Sequence, residues 1–152
     1  MAFSRPSIID ANLQLCDGAT IKVDDICQVD SADAIVTLGN GPVTGTLWIY
    51  ISAIEIASND ETYEFQLQGS TSATFADTIE NIPGCLRLGA KETVSGTGAA
   101  VADVDSTTGV YSMPFSNDIG GTVYPYVRLA LLCGGTQATG ITIGSAYLTL
   151  NK

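Results

Sequence analysis

The chain has 152 residues, sixteen acidic and six basic side chains, a formal net charge of −10 and no histidine. Phosphate neutralisation needs clustered Lys and Arg, so this balance argues against a direct nucleic-acid binder and against attachment to an anionic membrane surface. Only 14% of residues are charged, 45% are apolar and sixteen are glycine, a composition that suits short strands and turns in a single domain rather than helices.

Met1 to Pro6 reads as an N-terminal arm. The opening MAFSRPSIID lacks the apolar core of a secretory signal, and no run approaches the ~20 apolar residues of a membrane-spanning helix. Short strands are expected over Ser7 to Leu15, Ile21 to Val23 and Ala34 to Leu38, with Gly39-Asn40-Gly41 as a turn. The next strand, Thr46 to Ile56, is apolar on both faces. Leu47, Ile49 and Ile51 point one way; Trp48, Tyr50, Ile54 and Ile56 point the other. A second apolar face is buried by another sheet, a loop or another subunit.

After the Asn59-Asp60 turn, Tyr63, Phe65 and Leu67 alternate with Glu64, Gln66 and Gln68, the pattern of a strand with one face in the core and one in water. Phe75, Ile79 and Ile82 then fall at helical spacing. They predict one or two helical turns stopped by Pro83-Gly84, with a strand over Cys85 to Leu88. Lys91 to Gly109 is polar, small and glycine-rich, a long loop or arm. Strands follow over Val110 to Phe115 and over Val123 to Cys133, where Pro125, lacking an N–H, suggests an edge position or a bulge. Gly134-Gly135 supplies a turn. In Ile141 to Leu150 the apolar register passes from Ile141 and Ile143 to Ala146, Leu148 and Leu150, and Gly144-Ser145 marks the slip as a β-bulge. Eight or nine short strands at this spacing predict an all-β, single-domain β-sandwich, jelly-roll-like, with at most one short helix.

Catalytic motifs are wanting. Without histidine there is no Ser-His-Asp or Cys-His centre and no HExxH zinc site. Cys16, Cys27, Cys85 and Cys133 show no CxxC spacing and are expected as free thiols. Asp103, Asp105 and Gly109 miss the register of an EF-hand loop, and Asp24-Asp25, Asp30 and Asp33 read as solvated turns. No catalytic residue, metal or cofactor is expected.

Three stretches, IIDANLQLCDGA (Ile8 to Ala19), YEFQLQGSTSATFAD (Tyr63 to Asp77) and YVRLALLCGGTQATGITIGSAYLTL (Tyr126 to Leu150), in that order resemble the capsid cement (decoration) proteins of tailed bacteriophages, particularly a jelly-roll family from short-tailed phages. The resemblance covers both ends and the middle, about a third of the chain, and Lys91 to Gly109 has no counterpart in it. It implies a non-catalytic virion protein, made in the host cytoplasm, that binds the outside of a shell of major capsid protein. It also implies a homo-dimer or homo-trimer that braces neighbouring subunits.

The interface residues expected from the residue pattern are Trp48, Tyr50, Tyr124, Tyr126 and Arg128. Tyr, Trp and Arg bring contact area and directed donors at small entropic cost. Val127 and Leu129 are expected inside, and the Tyr124, Tyr126, Arg128 row outside. Two readings of Arg128 stand side by side: a pair with an acid on a neighbouring strand, or a salt bridge across a subunit contact. Trp48 and Tyr50 are either a second packed layer or an exposed patch. If that patch is concave, a carbohydrate-binding module is the competing function, since jelly rolls host both.

Overall fold

The computed structural model describes residues 10–90 and 105–151. The expected arm, Met1 to Pro6, and residues 91–104 of the expected loop lie outside the described residues. In chain order the strands are β1 (Gln14–Cys16), β2 (Ala19–Ile21), β3 (Asp25–Ile26), β4 (Gln28–Val29), β5 (Ala32–Asp33), β6 (Val36–Thr37), β7 (Thr44–Ile54) and β8 (Thr62–Ser70). They continue with β9 (Ile79–Gly89), β10 (Gly109–Ser116), β11 (Asp118–Ile119), β12 (Thr122–Val123), β13 (Tyr126–Gly134) and β14 (Ile141–Leu150).

Two antiparallel sheets face each other. One runs β1-β14-β7-β10, with β2 also paired to β14; the other runs β3-β13-β8-β9, with β6 also paired to β13. The long strands cross from sheet to sheet except for the hairpin β8-β9, which stays within the second, and the last strand returns beside the first. That is the strand order of a jelly roll, so the expected all-β sandwich is the fold. Leu47, Ile49 and Leu148 from the first sheet meet Phe65, Leu67 and Leu129 from the second, all at most 2% exposed. Truncating one such side chain to alanine costs about 2–5 kcal/mol.

The period-two pattern places β7, β8, β13 and β14 where it was expected. In β14 the pairing with β7 shifts on both sides of Ile143, skipping Gly144, which is the bulge anticipated at Gly144-Ser145.

Two local expectations are corrected. Of the strand expected over Ser7 to Leu15, the described part begins with a 3-10 turn, Ala11–Leu13. Asp10 imposes it: its Oδ1 accepts the Asn12 N–H at 2.9 Å and its carbonyl accepts the Leu13 N–H at 2.8 Å, as an N-cap does. The helix expected from Phe75, Ile79 and Ile82 does not form. Phe75 belongs to a loop, and Ile79 opens the long strand β9, paired along β8. Pro83-Gly84 does not end that strand, because the pairing jumps from Cys85 opposite Gln66 to Asn81 opposite Gln68. β9 lies at the sheet edge, where a residue without an N–H disrupts little, and Gly84 adopts φ 104° to make the bulge.

Candidate interface on the outer sheet face

None of the residues in β1, β2, β7, β10 and β14, the strands of the first sheet, is charged. In a chain with a net charge of −10, every acid lies elsewhere. Along β7, Leu47, Ile49 and Ile51 are buried in the core, so Trp48 and Tyr50 project from the outside. They are therefore not a packed layer between the sheets.

Trp48 sits between Ser112 of β10 and Tyr147 of β14; Tyr50 sits between Val110 and Ser145. The half-buried Trp48 indole reaches toward β14, and its Nε1–H donates to Thr149 Oγ1 at 3.0 Å. Thr149 in turn donates to the Thr46 carbonyl at 3.4 Å. The Tyr50 ring lies over the backbone of Gly144, where an added Cβ would come within 2.5 Å of Tyr50 Cδ1. Glycine at the bulge thus lets the ring lie against the sheet. Tyr50 remains 45% exposed and Val110 63% exposed. Three strands of eight to eleven residues, β7, β10 and β14, lie ~4.8 Å apart and cover roughly 450 Å², comparable to one side of a small protein contact.

The second sheet presents a different outer face. Val127 and Leu129 are fully buried, and Tyr126 and Arg128 point outward, as expected, but both are half-buried. The loop after β8 folds back against Arg128. Phe75, only 7% exposed, packs under the Arg128 guanidinium, whose central carbon lies 4.2 Å from the ring centroid. Arg128 Nε–H also donates to Gln68 Oε1 at 3.0 Å. These contacts replace the acid expected on a neighbouring strand: the partners Arg128 shows on its own chain are an aromatic ring and an amide. Among the described residues, the acid–base pair on this face is Arg87 with Glu64, at 2.7 Å.

Tyr124 lies between β12 and β13, half-buried, with its Cβ against Gly69; a Cβ there would meet it at 2.8 Å. Its position follows from Asn117, a fully buried side chain. Asn117 Oδ1 accepts the Val43 N–H at 2.6 Å, and its Nδ2 donates to the carbonyls of Gly41 and Tyr124 at 3.3 and 3.2 Å.

The five expected interface residues thus divide. Trp48 and Tyr50 share the uncharged face, Tyr126 and Arg128 lie on the opposite sheet with a loop against Arg128, and Tyr124 is held at a strand entry. Sequence reasoning missed Tyr147 and Val110, which complete the uncharged face. The signal was present as the absence of charge from five strands, visible once those strands are known to pair. Among the described residues no group of His, Cys, Asp or Glu is arranged to hold a metal ion. The chain matches no family model and no curated protein.

Proposed function

We propose that this chain is a non-catalytic capsid cement protein, which attaches to the outside of a shell of major capsid protein and bridges neighbouring subunits as a small homo-oligomer. The observation that carries the reading is the uncharged outer face bearing Trp48, Tyr50, Val110 and Tyr147. A strongly acidic protein repels its own copies and other acidic surfaces at most approaches; this face is where protein can meet protein without opposing carboxylates. The resemblance of Ile8 to Ala19, Tyr63 to Asp77 and Tyr126 to Leu150 to capsid cement proteins supplies the partner class. Many copies, each with a contact of this modest size, would supply avidity on a repeating shell. On this reading the protein resides on the virion surface, and nucleic acid and membrane are not partners.

Co-sedimentation of the purified protein with expanded capsids lacking it tests the proposal. Saturation at a fixed ratio to shell subunits is expected, with Tyr50→Ala weakening it. Absence of binding at matched salt and shell state would overturn the reading.

One observation favours a second reading, a carbohydrate-binding module: the exposed Tyr50 ring lies against the sheet among neutral hydroxyl side chains, as a sugar-stacking platform requires. Against it, the Trp48 indole N–H is already committed to Thr149. Glycan-array binding lost in Tyr50→Ala would support this alternative.

A further inference from the structure

Cys16 ends β1 and so belongs to the first sheet. Cys27 lies between β3 and β4, and its N–H donates to the Leu129 carbonyl of β13 at 2.9 Å, which ties it to the second sheet. Both side chains are fully buried in the same core cluster. The residues that follow each of them are joined as well: the Asp17 N–H donates to the Gln28 carbonyl at 3.3 Å. That backbone bond and their shared place in the core bring the two thiols to the same seam between the sheets. Interaction with the Cys27 thiol, helped by the N–H groups of Gly18 and Gln28, draws the Cys16 thiol down to about 7 against the effect of burial. The same interaction and burial push the Cys27 thiol up.

We propose that Cys16 and Cys27 are a latent disulfide that staples the two sheets once the protein meets an oxidising medium. Both are free thiols in this structure, as a reducing compartment would leave them. The segment that carries Cys27 opens more readily than the long ladders around it. Its strands β3 to β6 are two residues each, joined at Asp30 and Ser31, which both take positive φ (52° and 65°).

The oxidant is a small disulfide such as oxidised glutathione. The Cys16 thiolate attacks one of its sulfurs, forming a mixed disulfide and releasing one glutathione thiolate. Cys27 then gives up its proton to solvent and attacks the Cys16 sulfur, releasing the second glutathione. Two protein thiols and one glutathione disulfide become one protein disulfide and two glutathione thiols. Cys85 is exposed and competes for the reagent without having a second thiol to resolve the adduct.

The test is incubation of the full chain with oxidised glutathione, both natively and during refolding from denaturant. Expected are a Cys16–Cys27 peptide in a non-reducing map, loss of two hydrogens from that peptide pair and a melting temperature raised by about 5–10 °C, reversed by a dithiol. Cys16→Ser and Cys27→Ser each abolish the bridge and the shift, while Cys85→Ser keeps both. Absence of the linked peptide from both preparations, or a bridge from either cysteine to Cys133 instead, overturns the proposal.

Discussion

The ring of Tyr50 on β7 occupies the space that a side chain at position 144 on β14 would need. A Cβ there would lie 2.5 Å from Cδ1 and 2.8 Å from Cε1 of the tyrosine. The bulge and the aromatic face are therefore one feature. Gly144→Val should push the ring off the sheet at a cost of about 1–3 kcal/mol, the usual penalty of overpacking. The fold should survive, because the displaced side chain faces outward. Urea denaturation measures the cost, and co-sedimentation with capsids should show a loss comparable to that of Tyr50→Ala. Unchanged binding in Gly144→Val would detach this face from attachment.

Trp48 is the chain's single tryptophan, which makes it a reporter of what covers the uncharged face. In the free protein the indole is half-buried and bonded to Thr149. On binding to a shell or to another copy through this face, its emission should shift to the blue and resist quenching by iodide. Thr149→Val should cost about 0.5–1.5 kcal/mol through the lost hydrogen bond and leave the emission shift on binding in place. Saturable binding with no change in quenching would place the contact on some other surface.

Arg128 and Phe75 form the clasp of the opposite face. Arg128→Ala removes the ring contact and the bond to Gln68 together, and about 1–2 kcal/mol of stability should go with them. Arg128→Lys should recover only part, since an ammonium cannot stack its plane on the ring while donating sideways to the amide. Phe75 holds a positive φ of 54°, a strain that the buried ring must offset. A double-mutant cycle of Arg128→Ala with Phe75→Ala, followed by urea denaturation, should return a coupling energy of about 0.5–1 kcal/mol. Strict additivity would show that the two side chains are only neighbours.

The alternation of Tyr63, Phe65 and Leu67, and the slip at Gly144-Ser145, were legible because a strand's side chains divide between faces with a fixed period of two. The strand β9 was not. Its apolar residues fall at i, i+4 and i+7 from Phe75 only by coincidence, and Pro83-Gly84 resembles a stop until the edge position and the bulge opposite Leu67 are known. Asn117 gave no signal either, because three bonds to Gly41, Val43 and Tyr124 are made across the fold and leave no trace in local sequence. For the interface, the residue types were readable and their grouping was not. Trp48 and Arg128 share the outward phase of their own strands, but only the pairing of those strands puts them on opposite sheets.

Glu55 shows how this acidic chain uses a carboxylate to hold a turn. Its Oε2 accepts the N–H groups of Ala138, Thr139 and Gly140 at 2.9, 2.5 and 2.7 Å, fixing the loop between β13 and β14. The bonds from Gly140 and Thr139 favour the charged form, so the folded-state pKa lies below the ordinary carboxylate value of 4.5. The unfolded chain therefore binds this proton more readily than the folded one, and acid favours unfolding. The stabilisation is fully present above the unfolded value and fades as pH falls through the folded one. Glu55→Gln, which keeps the shape and loses the charge, should melt below wild type at pH 7. The gap should close on titration into the acid range, below the depressed pKa. Amide exchange at Ala138 to Gly140 should quicken in the variant at neutral pH. A gap of the same size at every pH would mean that Glu55 acts through its shape and not through its charge.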